Sequence, residues 1–98
     1  MNIRYTLHGI TFEWDSRKAA SNARKHEISF ELACEAFFDP FVFYLGDEVI
    51  NDELRETIIG MTKNWRLLYV VFVLNEDIVR VISARFVTKT EREDYENQ

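Results

Sequence analysis

The stretch SRKAASNARKH, Ser16 to His26, carries four basic residues and a histidine with no acid among them, in a chain of net charge −5. On a helix turning about 100° per residue, four of its polar residues share one narrow arc: Lys18, Asn22, Lys25 and His26. Its alanines point toward another arc: Ala19, Ala20 and Ala23. Lysine neutralises phosphates, asparagine bonds sugars or bases, and histidine moves protons near neutral pH. The stretch predicts either a nuclease face or an ordinary solvated helix face.

A second group of candidate residues lies in the run VRVISAR, where Arg80 and Arg85 stand in an apolar strand. An arginine among Val and Ile is unfavourable unless it is paired. Strict alternation puts Ser83 and Arg85 on one face and Arg80 on the other, so both arginines serve one site only if a bulge or strand end intervenes. Arg80 could instead pair with an acid such as Glu56. Further arginines could converge on the same rim: Arg55, Arg66 and Arg92.

Composition limits the class of protein. The 98 residues predict a single domain over 1–98, and 47% hydrophobic content excludes a disordered chain. The acidic balance argues against a protein that coats duplex nucleic acid, though it leaves room for a small phosphate site. There is no transmembrane run and no signal peptide, so we expect a cytoplasmic protein without a membrane partner.

Cofactor and metal chemistry find little support in the residue pattern. No Cys/His cluster has zinc spacing and no Gly-rich loop could cradle a nucleotide, so we predict neither a metal nor a cofactor. The single cysteine, Cys34, is predicted to lie on a buried helix face. The acidic stretch GDEVINDE, residues 46–53, is predicted to be a solvated loop.

The element pattern predicts an α+β fold. A hairpin is expected around His8-Gly9, then a helix from Ser16 to about His26 capped by Asp15, and a second helix capped by Ser29 and stopped at Asp39-Pro40. A short strand at residues 41–45 precedes three apolar runs, which predict an antiparallel meander packed on both faces over much of its area, most simply with helices on one side. A short C-terminal helix is expected, with a capping box at Thr88 or Thr90.

Three motifs together resemble one family. FEWDSRKAASNARKH, SFELACEAFFDP and RVISARFVTKTEREDYE occur in the order and spacing of the BrnT-type toxins of bacterial type II toxin–antitoxin systems. The resemblance covers nearly the whole chain. It implies a compact fold related to the RelE ribonucleases, RNA cleavage without a metal, and neutralisation by a ribbon-helix-helix antitoxin that also represses the operon. Contact with DNA would then be indirect, through the antitoxin complex.

The resemblance also implies the site residues. The helix motif of the family matches Lys18, Asn22, Lys25 and His26. Its strand motif matches Arg80, Ser83 and Arg85. Its terminal-helix motif matches Arg92 and Tyr95. The chain departs from the family where glycine usually follows the Lys-His pair and Glu27 stands here, which we expect to alter the helix end. Leu54 also replaces the acid that commonly precedes the matched Arg55.

These inferences combine into a mechanism. A ribose 2′-hydroxyl attacks the adjacent phosphate, His26 or Lys25 accepts its proton, and Arg80 and Arg85 stabilise the developing charge. The RNA contacts are predicted to come from the remaining set: Lys18, Asn22, Arg55, Arg66, Ser83, Arg92 and Tyr95. The alternative is a non-catalytic module that binds the antitoxin as a corepressor. RNA cleavage by the purified protein would distinguish the two.

Overall fold

Six strands and three helices make up the computed structural model, which describes residues 1–98. The strands are β1 (Asn2–Leu7), β2 (Ile10–Asp15), β3 (Phe43–Ile50), β4 (Glu53–Met61), β5 (Leu67–Asn75) and β6 (Ile78–Phe86). The helices are α1 (Ser16–His26), α2 (Phe30–Glu35) and α3 (Lys89–Glu96), and one 3₁₀ turn, Ala36–Phe38, follows α2. The predicted α+β class is confirmed. None of the helices is both long and apolar enough to cross a membrane.

All six strands belong to one sheet, in the order β1-β2-β6-β5-β4-β3. Neighbours are antiparallel except β2 and β6, which run parallel from Thr11 opposite Ile78 to Glu13 opposite Arg80. The sheet is therefore mixed, where the sequence predicted an antiparallel one. The reason is the path of the chain: after β2 it leaves the sheet through the helices, enters again at the far edge, and returns as a meander that ends beside β2.

Two-residue turns close the outer hairpins. His8 and Gly9 have φ values of 50° and 81°, and Asn51 and Asp52 have φ values of 52° and 62°. Left-handed residues at both positions give the turn whose twist matches paired strands. The first turn confirms the predicted hairpin. The prediction of an acidic loop at residues 46–53 is wrong, because the edge strand β3 runs through it to Ile50, and an exposed edge accommodates charged side chains.

The core lies between one face of the sheet and the layer formed by α1, α2 and the 3₁₀ turn. Its largest members include Phe12 and Trp14 from β2 and Phe30 from α2, and Cys34 is buried among them as predicted. Burial raises the pKa of the Cys34 thiol to about 12. Gly60 allows the close approach of the 3₁₀ turn to β4, because a side chain there would collide with the carbonyl oxygen of Ala36.

The helix ends follow the predicted caps. The carboxylate of Asp15 accepts a hydrogen bond from the Lys18 backbone N–H at 3.1 Å, and the hydroxyl of Ser29 accepts one from Leu32 at 3.1 Å. Of the two candidate capping boxes, the one formed is that of Thr88 with Glu91. Helix α1 ends with Glu27 in the left-handed conformation, at φ 60°.

The strained end of α1 generates a stability prediction. Glu27 donates its backbone N–H to the Ala23 carbonyl at 2.9 Å in a conformation that suits glycine much better than a residue with a Cβ. We expect Glu27→Gly to raise the free energy of unfolding by about 1 kcal/mol in a chemical denaturation experiment. Ser21→Gly, at an exposed position inside the same helix, should lower it by about 1 kcal/mol. Equal signs for the two variants would contradict this account.

Candidate functional site

A β-bulge in β6 brings the candidate strand residues onto one side of the sheet. Val71 of β5 is opposite Ser83 and Phe72 is opposite Val81, so Ile82 is an extra residue in β6. Beyond the bulge Tyr69 faces Arg85, and before it Val73 faces Arg80. Cross-strand partners in an antiparallel pair point to the same side. Three residues therefore share one face, as the sequence prediction required: Arg80, Ser83 and Arg85.

That face is the one opposite α1 and α2, and we call it the open face. Its residues are only partly buried over most of its area, whereas Phe72, Val81 and Ala84 on the other face are buried. Only one end of the open face is covered. At that end Ile59 and Leu67 are fully buried, and α3 is attached to the sheet. The predicted packing on both faces thus holds only at that end.

Every arginine on a strand points to the open face. Arg4 is opposite Glu13 and Glu13 is opposite Arg80, while Thr57, two residues beyond Arg55, is opposite Val71. These pairings join the side chains into one surface with four guanidinium groups: Arg4, Arg55, Arg80 and Arg85. The same pairings put carboxylates on this face as well, with Glu13 beside Arg4 and Arg80, and Glu48 and Glu53 beside Arg55, so the open face carries charges of both signs.

A groove of about 370 Å³ lies on the open face between β3 and β6. Its walls include Arg55 and Thr57 from β4, Tyr69 from β5 and Ser83 from β6, with Glu48 on the β3 side. The groove thus combines one guanidinium and three hydroxyls with two carboxylates, because Asp47 also lines it. The hydroxyls and carboxylates suit a ligand rich in hydroxyl groups, and Arg55 is the one cation in the groove that could meet a phosphate.

Two of the four arginines have cationic groups that no hydrogen bond satisfies. Arg80 has no carboxylate within ion-pair distance, and Glu56, its suggested partner, lies instead against the Tyr44 hydroxyl at 3.0 Å. Arg55 has its Nε 3.6 Å from Glu53, yet that buried nitrogen has no hydrogen-bond partner. A buried N–H without an acceptor is unfavourable unless something binds it. Arg80 is therefore free to bind an anion, whereas Arg55 already has a carboxylate at ion-pair distance.

Arg85 is held by three kinds of contact. Its Nη1 and Nη2 donate to the two carboxylate oxygens of Glu91 at 2.8 and 2.9 Å, and Nη1 also donates to the Phe86 carbonyl at 3.1 Å. Its guanidinium carbon lies 3.8 Å from the centre of the Tyr69 ring. The bond to Glu91 raises the pKa of Arg85, and the guanidinium lowers the pKa of Glu91. The sequence analysis did not identify Tyr69 or Glu91, although Glu91 is visible there as the capping-box acid.

Asn22 has a structural position that its residue type alone did not reveal. It is buried, with its amide Nδ2 donating to the carbonyls of Ala84 at 2.8 Å and Ile28 at 3.2 Å, and its Oδ1 accepting from the Ala84 N–H at 3.2 Å. Strand β2 pairs with β6 only as far as Arg80, so the outer edge of β6 beyond it has no strand beside it. The amide of Asn22 fills that place as a peptide group would. We therefore assign Asn22 a structural role in place of the predicted RNA contact.

The other helix candidates lie around this anchor. The arc centred on Asn22 faces the sheet, and Ala20 and Ala23, which the spacing puts on another arc, are exposed. Lys18 and Lys25 are exposed and His26 is half-buried. Backbone groups of a strand point along the plane of its sheet, so a bond from Asn22 to Ala84 places α1 along the edge of β6. Helix α1 therefore borders the strand segment that bears Ser83 and Arg85.

Of the candidate residues, only Arg55 and Ser83 line the groove, while Arg80 and Arg85 share its face but lie outside its walls. Arg66 is exposed on the turn between β4 and β5, and Arg92 is exposed on α3. Tyr95 donates its hydroxyl to the buried Asp39 at 2.6 Å, and its burial and that bond raise its pKa to about 12. Tyr95 lines a separate apolar cavity of about 470 Å³ beside the 3₁₀ turn. No three His, Cys, Asp or Glu side chains come together in a way that could hold a metal ion.

Comparison with known proteins matches this chain to one family. The family model described as the ribonuclease toxin BrnT of type II toxin-antitoxin systems matches residues 14–91. The structure is similar to the 1.1 Å crystal structure of the Brucella abortus ribonuclease toxin BrnT, with a TM-score of 0.51 and 22% identity over 78% of this chain and 94% of that one. At this identity the likeness concerns the fold. Curated proteins give no significant match.

The amide of Asn22 generates the second prediction. Asn22→Ala leaves the N–H and carbonyl of Ala84 without partners, and we expect it to lower the free energy of unfolding by about 2 kcal/mol. Ser21→Ala, at the exposed neighbouring position, should change it by less than about 0.5 kcal/mol. Urea denaturation of both variants measures the difference. Coincident unfolding curves for Asn22→Ala and the wild type would contradict the strand-replacing role.

The ion pair of Arg85 with Glu91 generates a pH prediction. Because the folded-state pKa of Glu91 is lowered, its contribution to stability is fully present above its ordinary pKa of 4.5 and is lost as pH falls through the folded value. We expect Glu91→Gln to reduce the free energy of unfolding by about 1 kcal/mol at pH 7, after allowance for solvent screening. That deficit should shrink progressively below pH 4.5. Glu93→Gln, on an exposed part of α3, is the control variant and should match the stability of the wild type at pH 7.

Proposed function

Because this chain belongs to the family of BrnT ribonuclease toxins of type II toxin–antitoxin systems, we propose that it cleaves RNA on the open face of its sheet and that its antitoxin neutralises it by covering that face. The observation that carries the proposal is the arrangement of the arginines. All four strand arginines point to one largely uncovered face, and Arg80 among them has no carboxylate partner. An unpaired guanidinium on a half-buried surface is suited to a phosphate.

The proposed reaction needs only groups of the RNA and of this chain. The ribose 2′-oxygen forms a bond to the adjacent phosphorus while its proton passes to His26 or Lys25, and the bond to the 5′-oxygen breaks. The products are a 2′,3′-cyclic phosphate and a 5′-hydroxyl end, whose oxygen takes up a proton. Arg80 and Arg85 stabilise the extra negative charge that the phosphorane carries. No step in this route requires a metal ion.

The groove and helix α1 supply the other contacts proposed for RNA. Arg55 and Ser83 line the groove and are assigned to the phosphate and ribose of a neighbouring nucleotide. Lys18 and Lys25 are exposed on α1, which borders β6, and can attract the strand as it enters. Single-stranded RNA fits such a surface better than a duplex, because its backbone can bend to follow a groove between strands.

The proposed partner is a ribbon-helix-helix antitoxin. Its segment on the open face should present a carboxylate to Arg80, the strand arginine without an ion-pair partner, and such complementarity speeds association. Because this chain has a net charge of −5, contact with operator DNA is assigned to the antitoxin. Direct occlusion of the groove explains inhibition without any change in the fold.

Arg80→Ala is the most direct test. Removing Arg80 leaves no carboxylate without a partner, so we expect the melting temperature to stay near that of the wild type while cleavage falls by about 10²-fold or more. The measurement uses a mixed-sequence single-stranded RNA in EDTA, with the same sequence as 2′-deoxy oligonucleotide as the uncleavable control.

Arg17→Ala provides the matched control, because Arg17 is exposed on the far side of α1 from Asn22 and should be dispensable. Equal losses for Arg17→Ala and Arg80→Ala would place the active site elsewhere. If the folded wild-type protein binds antitoxin and leaves RNA intact, the non-catalytic corepressor function is favoured instead.

A further inference from the structure

We propose that Glu91 is a positioning residue for Arg85: it holds the guanidinium flat against Tyr69 and leaves one edge free for the phosphate that is cleaved. The inference rests on the proposed function, since it assigns a role within the same site. It concerns α3, a helix that the proposed mechanism otherwise leaves without a role.

The hydrogen bonds of Arg85 leave one edge unoccupied. A guanidinium has five N–H donors. Nη1 uses both of its donors, on Glu91 and on the Phe86 carbonyl, and Nη2 uses one on Glu91. The N–H of Nε and the second N–H of Nη2 remain, and these two lie side by side on one edge of the planar group. They form a second fork of the kind that binds phosphate through two parallel bonds.

The plane of this fork is fixed by Tyr69. The guanidinium carbon lies 3.8 Å from the centre of the Tyr69 ring, so the group stacks on the ring face. Tyr69 also lines the groove, in company with Thr57 and Ser83. Arg85 therefore adjoins the groove through Tyr69, without lining it. Tyr69 contacts the face of the guanidinium and Glu91 binds its far edge. The group is therefore already ordered before the substrate binds.

Glu91 is itself immobilised by α3. The same oxygen that accepts from Nη1 of Arg85 also accepts from the backbone N–H of Thr88 at 2.9 Å, and the Thr88 hydroxyl accepts from the Glu91 N–H at 3.2 Å. Because Glu91 closes this capping box, its carboxylate can swing away from Arg85 only by also giving up its hydrogen bond from the Thr88 N–H. Its side chain is also only 17% exposed. A carboxylate held in this way can position Arg85, and it does not easily move away to expose the guanidinium.

The opposite role makes opposite predictions. If Glu91 masks Arg85, its removal frees a cation and should strengthen phosphate binding and cleavage. If Glu91 positions Arg85, its removal lets the guanidinium leave the Tyr69 ring and should weaken the chemical step. Arg80 has no ion pair, so its positive charge is available to the phosphate whichever of the two roles Glu91 has.

The test compares Glu91→Ala, Glu91→Gln and Glu93→Ala with the wild type, using the mixed-sequence RNA in EDTA for kinetics. We expect Glu91→Ala to lower kcat on the order of 10-fold with little change in KM. Glu91→Gln keeps an acceptor for Thr88 and for one nitrogen of Arg85, and should recover most of that loss. Glu93→Ala, on an exposed part of α3, should match the wild type. A gain of activity in Glu91→Ala would overturn the proposal.

The second readout is the ¹H–¹⁵N signal of Arg85 Nε, observed without RNA and titrated with inorganic phosphate. In the wild type the Tyr69 ring should shift this signal upfield, and phosphate should move it as the free edge is occupied. In Glu91→Ala the upfield shift should collapse, and Glu91→Gln should restore it. An unchanged signal in Glu91→Ala would overturn the proposal whatever the kinetics. If the wild-type protein leaves RNA intact, the proposed function fails and this signal alone decides the role of Glu91.

Discussion

The side-chain amide of Asn22 stands where a seventh strand would otherwise have to be. Strand β2 leaves the sheet after three pairings with β6, and the N–H and carbonyl of Ala84 would face a gap in the sheet. One amide satisfies both groups and also bonds the Ile28 carbonyl in the turn between α1 and α2. The position of α1, the entry into α2 and the outer edge of β6 beyond Arg80 all depend on this one side chain. Burial of the Asn22 amide is favourable only because both its nitrogen and its oxygen have hydrogen-bond partners.

The same anchor links the two sets of candidate residues. Ala84 lies between Ser83 and Arg85, so the point where α1 is fixed to the sheet is also the point where the strand motif meets the open face. The side chains of Ser83 and Arg85 turn outward while Ala84 turns inward to the core. The helix that carries Lys25 and His26 is thus fixed to the strand that carries Ser83 and Arg85, although 62 positions separate Asn22 from Ala84.

Local signals allowed much of the fold to be predicted, and long-range contacts account for what was missed. Asp15, Ser29 and Thr88 cap their helices in the structure because a cap needs only residues three positions apart. Residues 46–53 look like a loop by composition, yet they pair with β4, since an edge strand can be charged throughout. The burial of Asn22 could not be predicted, because its partner lies in β6. The pairing of Arg85 with Glu91 was likewise missed, although both residues were visible in the motifs.

The bulge at Ile82 makes the length of β6 as important as its composition. Arg80 and Arg85 are five residues apart, an odd number, so a regular strand would point them to opposite sides of the sheet. The extra residue restores a common direction. A relative with the same five-residue spacing but a regular strand would carry the same motif letters and yet have its two cations separated by the thickness of the sheet. A relative that lacked one residue between the arginines would keep both on one side without any bulge, so a gap in an alignment at this place is compatible with an intact site.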